Sequence, residues 1–149
     1  MTDSDLNLLT AFEDGTFPLD RWDQRAHVSV AFILLRLHGF EEALDRLRRG
    51  ILNYNHTNRI KDSPTSGYNE TTTVAMLKIV DTVMRAYREY LPAANAGEFC
   101  DLHPELMNKH LLRFFYSPGR RMDPRAKTQF LPPDLSDLPS LERDRCGQD

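Results

Sequence analysis

Over residues 24–35 the apolar positions return with the 3.6-residue period of a helix and cover most of its circumference. Gln24, His27, Ala31 and Leu34 fall on one stripe, and Val28, Phe32 and Leu35 on the next. This pattern predicts the most buried helix of the chain, with a histidine and an amide turned inward. Asp20 is the expected N-cap, Trp22 the expected aromatic seal, and Gly39 the expected left-handed residue that ends the helix. Ahead of it, Leu6, Leu8, Leu9 and Phe12 form a short helix capped by Asp3 or Ser4 and closed at Glu13-Asp-Gly15. Behind it, Ala43, Leu44, Leu47, Ile51 and Leu52 continue the period from Glu41 to about Tyr54. Glu42 can pair with Arg46, and Asp45 with Arg48 or Arg49, on the outer face. So short a linker makes these two helices antiparallel neighbours and carries Asn53, Tyr54 and Asn55 back towards Gln24 and His27.

Residues 56–67 are polar and turn-rich, the length of connection that is either mobile or a lid. A long helix follows from Asn69 or Glu70 through Val74, Leu77, Val80 and Val83 to Leu91. After a linker at 93–97, the spacing of Leu106, Met107, Leu111, Phe114 and Phe115 predicts a helix over 104–115. Pro118-Gly119 should break it, a short helix should follow Asp123-Pro124, and 131–139 reads as an extended strap, held on its own body or exchanged with a second copy. The last ten residues read as a frayed tail. The expectation is an all-α single domain over 1–149, a bundle of five to six helices with an ordered core at about 5–139.

Length and charge narrow the function classes. A chain of 149 residues can bury one sizeable core. Nineteen basic and 22 acidic residues are scattered to a net charge of -3, with no basic face for nucleic acid. The one basic cluster, Arg120, Arg121, Arg125 and Lys127, reads as solvated surface rather than an anion contact. Cys100 and Cys146 lack metal or redox spacing and read as free thiols. The acidic start, Met-Thr-Asp-Ser-Asp, has no apolar run behind it, and no run reaches the length of a membrane span. The expected setting is cytoplasmic, with neither nucleic acid nor membrane as partner.

The chemistry concentrates in two stretches. An inward imidazole and amide each cost about 1–3 kcal/mol if left unpaired, and Gly67-Tyr-Asn-Glu-Thr-Thr-Thr73 can supply the partners. Asn and Thr are ordinary capping residues and Glu suits a first helical turn, but capping leaves Tyr68, Glu70, Thr71 and Thr73 together opposite His27 unexplained. His27 is then the candidate acid/base, oriented by Glu70 or Tyr68, with Trp22, Gln24, Asn55, Asn69, Thr71 and Thr73 placing a small polar substrate. No motif activates Ser117 or a cysteine as a nucleophile. His103 and His110, seven apart, are poorly spaced for a metal pair.

The order Trp22-x-Gln24-x-x-His27, Tyr54-Asn55, Tyr68-Asn69-Glu70-Thr71-x-Thr73, Phe115-Tyr116-Ser117 and Pro133-Asp134-Leu135-x-x-Leu138-Pro139 resembles a family of small, poorly characterised bacterial helical proteins. The resemblance covers almost everything from Phe17 to Pro139 and brings Tyr116 into the candidate site. It implies a site built from the histidines of the first stretch and the His-Glu of the third, a set that suits a divalent metal. This chain has Gln24 and Asn69 where that pattern has histidine, leaving His27 and Glu70 as the only good ligands.

Three readings follow. The first is a small-molecule enzyme doing proton transfer of isomerase, lyase, cyclase or hydrolase type at His27, Glu70 and Tyr68, with no cofactor expected. The second is a divalent-metal protein using His27 and Glu70. The third is a non-catalytic ligand-binding or interaction module, and a homo-oligomer is compatible with each.

Overall fold

The computed structural model describes residues 1–141. Among these, helices account for the architecture and no strand forms; Ser63 and Ser66 make one isolated bridge inside a loop. The helices are α1 (Asp3–Asp14), α2 (Gln24–Leu37), α3 (Phe40–Thr57), α4 (Glu70–Tyr87), α5 (Ala96–Leu102) and the single turn α6 (Pro118–Arg121), joined by 3-10 turns at Leu19–Arg21, Pro104–Met107, Leu111–Phe114 and Pro124–Lys127. The expected all-α bundle is what forms. No helix among the described residues is long and apolar enough to cross a membrane.

Helix α2 is the core helix, as its pattern requires: Ala26 and every residue from Val28 to Leu34 are buried. Helices α1, α3, α4 and α5 surround it. Its cap is Asp23, not Asp20, because the Leu19–Arg21 turn uses up Asp20 and leaves the Asp23 carboxylate to accept from Ala26 N at 2.9 Å. Gly39 is extended rather than left-handed and serves as the N-cap of α3, directly after His38, the C-cap of α2. Helix α1 crosses α3 where Gly50 faces Phe12. A Cβ on Gly50 would lie 2.3 Å from Phe12 Cε2, so only glycine admits that approach.

The connection 58–69 is held down. Lys127 Nζ donates to Asp62 Oδ1 at 2.7 Å, Ser63 O at 2.5 Å and Ser66 O at 2.6 Å. Gly67 takes φ +88°, and a side chain there would strike Asp62 Oδ1. Asn69 then caps α4 by accepting from Thr72 N at 2.9 Å.

The C-terminal third departs most from expectation. Residues 104–115 are two 3-10 turns rather than one helix, because Asn108 is extended and its Oδ1 accepts from His110 N at 2.9 Å. Helix α5 stands where a linker was expected. Asn95 caps it, accepting from Glu98 N, and the buried Asp5 of α1 accepts from Ala96 N at 3.2 Å. Cys100 therefore sits buried in a helix rather than in a loop. A turn of helix forms at Pro118–Arg121 where a break was expected, since proline suits a first helical position and Ser117 caps it. The strap lies on its own chain: Leu135 N donates to Phe115 O, Ser117 holds Asp134 through N and Oγ, and Thr82 Oγ1 donates to Pro139 O. Of the expected tail, 142–149, with Cys146, lies outside the described residues.

Candidate functional site

Between the first turns of α2, the middle of α3 and the start of α4 lies a cavity of about 200 Å³. That is the scale of a void that takes up benzene. Its walls are apolar, with Val28, Ala31, Leu47, Ile51, Met76 and Leu77 among them. Its polar lining is Gln24, His27, Tyr68, Asn69, Thr72 and Thr73. The antiparallel pairing of α2 and α3 and the cap of α4 bring these groups together.

His27 is in the first turn of α2 and its ring is reached by solvent, contrary to the expectation of a fully buried imidazole. A residue this close to the helix start clears the layer that covers Val28 to Leu34. Its Nδ1 lies 2.8 Å from Asp23 O. A carbonyl only accepts, so Nδ1 carries the proton, and Nε2 of the neutral ring is left with its lone pair. No side chain or backbone group among the described residues is bonded to Nε2. Trp22 covers the ring at a centroid distance of 4.0 Å and is itself packed on Tyr54 and Phe12 at 4.9 and 5.2 Å. Desolvation of the ring on this aromatic side lowers the His27 pKa from its ordinary value, against the opposing pull of the Asp23 carbonyl and charge.

Glu70 does not orient His27. Its Oε1 accepts from Arg48 Nε at 2.9 Å and from the Tyr68 hydroxyl at 2.5 Å, and its Oε2 accepts from Arg48 Nη2 at 2.7 Å. The cation takes the carboxylate because a bidentate guanidinium bond outcompetes one imidazole contact. Arg48, chiefly through that bond, holds the Glu70 carboxyl below its ordinary value. Tyr68 is pushed up to about 12 by burial and then by its bond to Glu70, so it remains a phenol.

The other candidate residues divide. Gln24 lines the cavity but spends Nε2 on Leu106 O at 2.9 Å, and Asn69 lines it while capping α4. Thr73 lines it and donates to Asn69 O. Trp22 reaches it only through His27. Asn55 does not line it; its carbonyl accepts from Ile60 N. Thr71 faces the opposite way, donating to Gln129 O and accepting from Leu131 N. Tyr116 is buried elsewhere, donating to Leu131 O at 2.9 Å, and burial first pushes it up to about 12.

Among the described residues no group of three or more His, Cys, Asp and Glu side chains is placed to hold a metal, and Glu70, one of the two expected ligands, is committed to Arg48. His103 is buried between Tyr87 and Phe99, far from partnership with His110, which is exposed. Sequence reasoning missed Arg48. The sequence offered Asp45 to Arg48 or Arg49; Asp45 pairs with Arg49, four residues on, and Arg48 turns to Glu70 instead.

In comparisons with protein-family models, curated proteins and solved structures, the chain matches none.

Proposed function

We propose that the cavity binds a small organic molecule and that His27 acts on it as a general base. The observation that carries this reading is the unbonded Nε2 of His27, tautomer set by Asp23 O, on a residue that lines a largely apolar cavity. Gln24, Asn69 and Thr73 fix the ligand, Tyr68 closes one side, and Arg48 with Glu70 holds Tyr68. The reaction class is proton transfer at or next to a polar group. Base action needs neutral His27, so the rate falls on acidification through a pKa lying below 6.5.

The test has two steps. Fragments of up to about 12 non-hydrogen atoms, a size matched to small-ligand sites, are screened by NMR, with shifts expected at His27, Thr73 and Met76. Bound fragments carrying an acidic C–H are then incubated in D2O and deuterium uptake is read by mass spectrometry. His27→Gln should retain binding and lose about 10²-fold or more of the exchange. Exchange unchanged in that variant refutes the base. The capture of Glu70 by Arg48 favours one second reading, binding without turnover, because it leaves His27 without a carboxylate partner; ligand shifts with no exchange would select it.

A further inference from the structure

A second groove, of about 180 Å³, lies on the other side of Gln24, Thr72 and Met76, which line both spaces. Beside these the groove is lined by the cations Lys109, Arg113 and Arg121 and by His110, with no carboxylate among the lining residues. None of these side chains has an ion pair or hydrogen bond among the described residues. Arg121 Nε is the one buried side-chain nitrogen or oxygen among them that is left without a partner. Such an orphan costs free energy that a bound acceptor would recover.

The neighbouring cations are handled differently. Arg125 is bound to Asp123 and Lys127 to Asp62, so the basic cluster visible in the sequence disperses, and only Arg121 of it reaches this groove. Lys109 and Arg113 bring like charge beside it from the Pro104–Phe114 segment. The crowding registers on His110, which is held below its ordinary value first by desolvation and then by Arg113, Lys109 and Arg121. Uncompensated positive charge gathered around a concavity is what an anion site requires.

We infer that the groove is the anion-binding half of the ligand site, so that the ligand is a short apolar molecule bearing a carboxylate or a phosphate. The inference rests on the cavity being a ligand site and adds the class of ligand. The head group would meet the guanidinium groups of Arg113 and Arg121, while the apolar body runs along Met76 towards the cavity beside His27.

Three probes of one chain length test it on the full chain: hexanoate, hexyl phosphate and the neutral hexanamide. Binding is followed by calorimetry and by the fluorescence of Trp22, the sole tryptophan, which covers His27. At low salt at least one anion should bind about tenfold or more tighter than hexanamide, and whichever anion leads identifies the head group. The gap should close in R113Q and R121Q and with added salt, while hexanamide affinity holds. Arg113 is exposed, so R113Q keeps its fold and reports even where R121Q is destabilised. Equal affinity for all three probes, abolished for all by the cavity-filling A31F, would overturn the anion site and leave the cavity reading standing. Failure of all three to bind would overturn both.

Discussion

Replacing Arg48 by methionine isolates the ion pair that holds Tyr68 at the side of the cavity. Glu70 loses both guanidinium donors and keeps only Tyr68, while methionine preserves most of the aliphatic stem. The two side chains are 34% and 16% exposed, placing the pair between an exposed pair, worth under about 1 kcal/mol, and a buried one, whose disruption costs about 3–5. We expect a loss of about 2 kcal/mol at pH 7. With an m-value of about 2 kcal/mol/M in urea, the midpoint falls by about 1 M. The pH dependence has a definite sign. Arg48 lowers the folded-state pKa of Glu70 below the ordinary 4.5, so the stabilisation is complete above 4.5 and is lost as pH falls through the lowered value. Urea titrations followed by Trp22 fluorescence, on the wild type, R48M, E70Q and R48M/E70Q, provide the measurement. The gap between wild type and R48M should narrow from pH 6 towards about pH 3, and the double variant should be no worse than R48M. A gap under about 0.5 kcal/mol at pH 7, or one indifferent to acid, would refute the clamp.

Two further predictions concern the frame. Gly50→Ala drives a methyl into the Phe12 ring and should cost about 1–3 kcal/mol, visible as a lowered Tm; an unchanged Tm would mean that α1 and α3 separate freely. Thr71→Val removes the hydroxyl that links Gln129 O to Leu131 N, costing about 1–3 kcal/mol. It should hasten proteolysis within 128–139, and unaltered cleavage there would show that the strap is held without Thr71.

Legibility followed the range of the interaction. Periodicity exposed α2, α3 and α4 because each buries a stripe of its own circumference, and the short α2–α3 linker was enough to bring Tyr54 onto Trp22. Caps were harder, since Asp20 and Asp23 are equally good capping residues and only the Leu19–Arg21 turn decides between them. Segment 104–115 carries helical spacing, but an Asn108 side chain competes for the backbone and wins. In the site, His27, Tyr68 and Asn69 were legible as polar residues beside apolar stripes. The partner of Glu70 was not, because it is fixed by an arginine 22 residues earlier on a face that reads as solvated.

The atoms that remain uncommitted say more about a ligand than the residue types do. Around the cavity, Gln24 has given its amide N–H to Leu106, Asn69 its oxygen to Thr72, Thr73 its proton to Asn69, and Tyr68 its proton to Glu70. What is left includes the Gln24 carbonyl oxygen and His27 Nε2 as acceptors, with the second Gln24 N–H, the Asn69 amide N–H groups and the Thr72 hydroxyl as donors. Two acceptors side by side favour a ligand that presents an O–H, N–H or acidic C–H to them. A donor pair opposite favours a carbonyl or hydroxyl oxygen on the same ligand. A polarised C–H or O–H next to an oxygen is the arrangement in which a neutral imidazole of lowered pKa can remove a proton while an amide N–H stabilises the charge that develops. Asn69→Asp separates the two roles of that residue. Aspartate caps α4 equally well but withdraws the donor and adds an acceptor, so stability should hold while ligand binding falls. Ligand binding that holds along with stability would mean that Asn69 is only a cap.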